Sequence, residues 1–260
     1  MAETTKGSGA EPEQARETSK GIRSALVLIT FVLPALALLL LLGNWQVQRL
    51  QWKEDLIATI ENRMEQAPVN VDEVMAVWRQ SGDVDYLPVG FEGTFLHDRE
   101  QHFLATHDGQ SGWYVYTPFV LADGRKIIVN RGFVAYDMKE PSARPWEQTP
   151  DTVAIIGLAR NPLVEKPGDL VPDNAPGDRI WYWKDFAGMA TAMELDDQDL
   201  VPFFVDVATT NGNVSAGPVG GVTRVSLPNN HLQYAVTWFG LAAALVVVTG
   251  FYLWRAIRRR

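Results

Sequence analysis

Two uninterrupted apolar runs bracket the chain. Ala25 to Leu42 is 18 residues without a charge, and Tyr234 to Trp254 is 21 more. At ~1.5 Å per helical residue they extend about 27 and 32 Å, against a hydrocarbon core of about 30 Å. Lipid offers no partner to backbone N–H and C=O groups, so both are predicted to cross a membrane as helices. Pro34, inside the first run, predicts a kink. That run reads as a retained anchor and not as a cleaved signal. Ala35-Leu36-Ala37 has the form of a cleavage triplet, but it sits mid-run with five leucines after it.

Between the runs the period changes. Trp45 falls at the membrane–water boundary, where an amphipathic ring is stable. Beyond it Trp52, Leu56, Ile57, Ile60 and Met64 recur at helical spacing, with Lys53, Glu54, Glu61 and Arg63 on other faces. This predicts that the first membrane helix continues, with a break at Gly43-Asn44, as an amphipathic helix ended by Pro68. A second helix is predicted over Val71–Gln80, with Asn70 as its N-cap. Short β-type runs follow at 88–95, 102–105, 113–121, 126–134, 152–159, 180–183, 202–207 and 222–227, separated by Gly, Asp and Pro; only 185–195 reads as helix again.

The predicted fold is therefore membrane α+β: two transmembrane helices flanking a β-rich domain, an antiparallel sheet or a small barrel, with a few helices. The divisions are a disordered tail at 1–20, the first membrane helix at 21–43, the outer domain at 44–230, the second membrane helix at 231–255 and a basic tail at 256–260.

Charge sets the topology. Lys20 and Arg23 precede the first helix, and Arg255, Arg258, Arg259 and Arg260 end the second. Both termini are expected on the cytoplasmic side and the domain across the membrane. Between residues 43 and 230 Asp and Glu outnumber Lys and Arg by 27 to 15. Such a domain repels nucleic acid and anionic head groups, so proteins, cations or neutral ligands are its expected partners, with lipid around the anchors. The chain has no cysteine, which excludes disulfides, thiolate metal sites and thiol catalysis.

Little of the remaining chemistry points to catalysis. No nucleophile elbow, HExxH zinc motif, phosphate loop or dinucleotide fingerprint occurs, and the chain is not expected to be an enzyme. His97, His102 and His107 are spaced by five, and a turn at Asp98–Gln101 would set His97 opposite His102. A solvent-exposed hairpin is preferred there over a metal site. Trp181-Tyr182-Trp183 reads as core plus surface patch. Arg131 interrupts an apolar strand and needs a partner, either an acid that fixes register or a ligand carboxylate; Gly132 beside it signals a bulge or a close backbone approach. His231 opens the second apolar run, with Gln233, Tyr234, Thr237 and Trp238 over the next two turns. An imidazole among aromatic rings at a lipid boundary suits either a haem iron or a polar interfacial cap.

GNWQVQRLQWKEDLI from Gly43, GWYVYTPFVLADGRKIIVNRGFV from Gly112 and NNHLQYAVTWFGLA from Asn229 together resemble the surfeit locus protein 1 family of cytochrome oxidase assembly factors, over residues 24–255. The resemblance implies an integral membrane protein that assists maturation of the haem–copper oxidase catalytic subunit. It also implies binding of haem a and help in delivering it. The family's haem-associated histidine corresponds to His231, its VNRG segment to Val129–Gly132, and its WQ-x-x-R motif to Trp45, Gln46 and Arg49. Phe133 stands where the family commonly has tryptophan. On this reading His231 is the axial ligand, Trp45, Tyr234 and Trp238 wall the macrocycle, and Arg49 or Arg131 meets a propionate. Docking partners are the oxidase subunit and the enzyme that makes haem a. The acidic N-terminal tail, unlike an organellar targeting sequence, points to a bacterial cytoplasmic membrane.

Overall fold

In the computed structural model, residues 11–144, 152–208, 217–223 and 228–258 are described, with side chains from Leu26 onward. The chain forms two compact units, one made of the termini (1–57 and 227–260) and one of the middle (58–226).

The first unit is built on α1 (Glu11–Met64) and α4 (His231–Arg258). Helix α1 continues through Pro34 and through Gly43-Asn44. The predicted break is absent because Gly43 makes room for a neighbour instead of loosening the backbone. A Cβ built on Gly43 would lie 2.8 Å from the Phe239 ring of α4. Along α1 the less exposed positions include Val32, Leu36, Leu39, Gly43, Gln46 and Leu50. Along α4 they are His231, Ala235, Trp238, Ala242, Leu245 and Thr249. Both stripes step by three and four residues, the spacing of an interhelical seam, and small residues let the backbones approach. The pairs Gly43–Phe239 and Gln46–His231 fix the two helices as antiparallel. Elsewhere the faces carry exposed Phe31, Leu41, Val236, Val247 and Phe251, and only 6% of each apolar window is buried. Two apolar helices with uncovered faces of this kind fit a membrane-anchored protein. The helix begins at Glu11, so residues 11–20, expected in a disordered tail, are helical; residues 1–10 lie outside the described set.

The second unit takes up the last turns of α1, where Ile60 is buried and Arg63 donates to the Asp85 carbonyl at 2.9 Å and the Asp83 carboxylate at 3.0 Å. Helix α2 (Val71–Ser81) follows, one residue longer than predicted. Asn70 caps it, its side chain accepting from Glu73 N–H at 3.0 Å and donating to the Glu73 carboxylate at 2.6 Å. Asn70→Ala is expected to cost about 1 kcal/mol, read as a melting-point fall of about 2–4 °C in full-length protein.

The strands are β1 (Pro88–Phe95), β2 (Gln101–His107), β3 (Gln110–Leu121), β4 (Lys126–Ala135), β5 (Val153–Arg160), β6 (Ile180–Trp181) and β7 (Leu200–Val207), with α3 (Phe186–Ala192) before β7. Their order is β1-β5-β7-β4-β3-β2-β6, and β1 also pairs with β3. That extra pairing closes a five-stranded barrel, the second of the two predicted forms. It is not wholly antiparallel, since β4 runs parallel to β7, and β2 to β6 outside the barrel. Numbered along the chain, the barrel strands neighbour one another as 1-2-3-5-4-1, a Greek-key closure of the OB type.

Both sides of β4 and β7 are covered. Ile127, Val129, Phe203 and Val205 share one core with Val74 of α2, while Ile128 and Phe204 join a second core with Met189 of α3, Met193 and Trp181. Hence these strands read as continuous apolar runs and not as alternating ones. The predicted strand at 222–227 does not form at Val222 and Thr223, and 224–227 lie outside the described residues. The run at 180–183 is a strand only at Ile180–Trp181.

Candidate functional site at the head of α4

His231 is the first residue of α4, and its backbone N–H points to the Asn229 side chain at 3.4 Å. Its Nδ1 lies 2.8 Å from Oε1 of Gln46, on α1. A carbonyl oxygen only accepts, so with Oε1 toward the ring the pair forms in the tautomer that carries the proton on Nδ1 and leaves the lone pair on Nε2. Nε2 has no protein partner among the described residues. Gln46 is buried, 9% exposed, so the amide is held by packing as well as by the ring.

The neighbouring aromatic residues lie differently. Trp45 is 54% and Tyr234 55% exposed, whereas Trp238 faces the seam and is half-buried. Trp45, Arg49 and Trp52 follow one another at i, i+4 and i+7 on one side of α1. The Arg49 guanidinium lies over the Trp52 ring, its carbon 3.8 Å from the centroid. The described partner of Arg49 is therefore an indole, and its charge stays at the surface.

Arg131 belongs to the other unit. Its Nη1 donates to Nδ1 of His97 at 3.1 Å, and its guanidinium stacks 4.9 Å from the centroid of Phe95. Burial pushes its pKa down to about 10, with Glu100 opposing the shift and Arg144 adding to it. It makes no ion pair among the described residues, so the register-fixing acid expected for it is not there. Asn130 does that work. It donates to Asp206 at 2.9 Å across the parallel β4–β7 pair and accepts from Gly132 N–H at 3.1 Å, while Thr223 donates to the other Asp206 oxygen at 2.7 Å. Gly132 is both bulge and close approach. Arg131 and Gly132 together oppose Val115 alone, and Gly132 has φ +127° with the Val219 carbonyl against it.

The three clustered histidines diverge. His97 serves Arg131, His107 lies beside Asp108 and Phe133, and His102 is 1% exposed. The exposed hairpin expected at 97–102 is corrected by burial of its second half. His102 Nε2 sits 3.1 Å from Glu100, whose carboxylate also receives Arg144 at 2.8 and 3.0 Å. Glu100 and Arg144 are inaccessible, and Arg144 further donates to the backbone carbonyls of Met138 and Lys139. Burial alone would raise the Glu100 carboxyl; hydrogen bonds from His102 and Arg144, and the arginine charge, outweigh it and hold it below the ordinary value near 4.5. No group of three or more metal-binding side chains forms among the described residues.

The site residues expected from the sequence are His231, Trp45, Tyr234, Trp238, Arg49 and Arg131. The structure adds Gln46 as the direct partner of His231 and gives Arg131 partners of its own in the barrel unit. The signal for Gln46 was present in WQ-x-x-R, but a glutamine at a membrane boundary carries no chemistry until its partner is known.

The donor set fits a haem. One imidazole is hydrogen-bonded at Nδ1, has no described partner at Nε2, and has the exposed rings of Tyr234 and Phe239 near it in the chain.

A family model described as the SURF1 family matches residues 33–243. The Homo sapiens protein named Surfeit locus protein 1 is 38% identical over 232 residues, 82% of this chain and 71% of that one. The Rattus norvegicus protein of the same name is 37% identical over 231 residues, 82% and 70% of the two chains. A SURF1-like protein of Drosophila melanogaster is 32% identical over 239 residues, 84% and 74%.

Proposed function

Because the chain belongs to the SURF1 family, a family of oxidase assembly factors, we propose that it binds haem a through His231 and assists its insertion into the catalytic subunit of a haem–copper oxidase. The observation that carries this reading is the Gln46–His231 pair, which keeps Nε2 bare at the head of α4. Iron in a bound haem supplies a Lewis-acidic centre that an imidazole nitrogen can fill. The chain's own residues do the rest. His231 offers Nε2, and Gln46 holds the ring's orientation. Tyr234, one turn along α4, and Trp45, next to Gln46 on α1, offer exposed apolar surface, and Arg49 would offer a guanidinium to the carboxylates of an amphipathic ligand. A single protein nitrogen suits release as well as capture, because a carrier must let its cargo go.

In this reading the domain lies outside a bacterial cytoplasmic membrane with both termini inside, following the basic residues at 20, 23, 255 and 258–260. Its acidic surface docks on the oxidase subunit or on the enzyme that makes haem a. The barrel itself implies no activity, since one fold serves many functions.

Protein purified from cells that make haem a is expected to show a Soret band, and His231→Ala to lose at least ten-fold of it with an unchanged far-UV spectrum. A wild-type protein without a Soret band would leave a membrane-anchored scaffold that stabilises an oxidase intermediate without haem.

A further inference from the structure

We infer that Gln46 is the positioning residue of the site: it selects the tautomer of His231 and tunes how strongly Nε2 donates to a bound metal centre. The inference rests on the haem-binding reading for its second half only; the tautomer stands without any ligand.

The geometry is specific. Gln46 lies on α1 and His231 on α4, 185 residues apart in sequence, yet Oε1 and Nδ1 meet at 2.8 Å. An imidazole in water exchanges its proton between both nitrogens. A buried carbonyl acceptor on one side ends that exchange and fixes the lone pair on the other. Ligating histidines in metal sites are held by such partners, whose loss costs about 10–100-fold in metal affinity. Gln46 is 9% exposed, and Gly43, one turn earlier, is filled by the Phe239 ring. The amide is thus held by the same seam that sets the helices together. A neutral amide is also a moderate acceptor. It leaves the imidazole less electron-rich than a carboxylate would, which suits a site that must release what it binds.

Two measurements on full-length protein in detergent test this. The first uses haem-free protein with ¹⁵N-labelled histidine, the His231 ring being assigned by its disappearance in His231→Asn. Wild type is expected to show Nδ1 protonated and Nε2 bare, and Gln46→Leu to move the proton largely to Nε2. An unprotonated Nδ1 in wild type, or an unchanged pattern in Gln46→Leu, overturns the inference whatever the fate of haem. The second uses haem-loaded protein and reads the one-electron midpoint potential. Gln46→Glu makes the imidazole a stronger donor and favours ferric iron; Gln46→Leu does the reverse. The two variants are expected to shift the ferric-to-ferrous affinity ratio about ten-fold in opposite directions, about 59 mV each way. A purely structural glutamine would move both variants the same way or neither, and either result overturns the tuning role. If wild type shows no Soret band, the haem reading fails while the tautomer result still decides for or against Gln46.

Discussion

Full-length protein carrying Glu100→Ala is expected to melt about 10 °C below wild type, a loss of about 3–5 kcal/mol. Glu100 is fully buried and its carboxylate receives both Arg144 nitrogens and His102 Nε2. Removing it leaves the inaccessible Arg144 guanidinium without a counter-charge, and two backbone carbonyls cannot offset that. The cost lies in the orphaned partner and not in the pair itself. Replacing both members with apolar residues, Glu100→Leu with Arg144→Met, is therefore expected to recover most of the loss. Near-UV circular dichroism during a thermal ramp separates the cases. A double variant no more stable than the single one would show that the pair contributes net stability.

The same cluster sets an acid limit. The folded carboxyl of Glu100 titrates below its ordinary value near 4.5, so the folded state holds fewer protons than the unfolded chain in that window. Its contribution is complete above about 4.5 and is lost as pH falls through the lower folded value. Glu100→Ala is expected to flatten the acid side of the stability profile.

The two membrane helices and most strands of the barrel were legible in the sequence because each depends on local patterning. The run Pro88–Phe95 is a strand over its whole predicted length, and Asn70 caps α2 as its side chain suggests. What was not legible depends on partners far along the chain. Gln46 stands in the WQ-x-x-R motif, but its role is visible only once α4 brings His231 to it. His102 looked exposed because nothing near it in sequence announces Arg144, 42 residues later. Arg131 drew attention as the charge in an apolar strand. Asn130 beside it fixes register, a role visible only once β7 brings Asp206 alongside. The continuous helix at Gly43-Asn44 has the same cause, for only the ring of Phe239 explains why a glycine is needed there. Barrel closure likewise turned on one long-range pairing, β1 with β3, that no single strand records.

Gly132→Ala is expected to cost about 3–5 kcal/mol and to disturb the segment after β4, because three constraints meet at that residue. Its φ of +127° lies where L side chains are strained. A Cβ there would come within 2.1 Å of the Val219 carbonyl oxygen and 2.4 Å of its carbon, both backbone atoms that cannot swing aside as a side-chain tip would. Val219 is itself tied to Phe133 by two backbone hydrogen bonds of 2.8 and 2.9 Å, so relieving the clash opens that bridge. The bulge also turns Arg131 toward His97 and Phe95, and a relaxed bulge would release it. Gly82→Ala supplies the control. Gly82 has φ +67° as the C-cap of α2, with nothing within 4 Å of an added Cβ, so only the conformational cost of about 1 kcal/mol should appear. Thermal melts of the two variants side by side divide backbone strain from steric exclusion. Equal losses would mean that Val219 yields freely and that the bulge is not held by its neighbour.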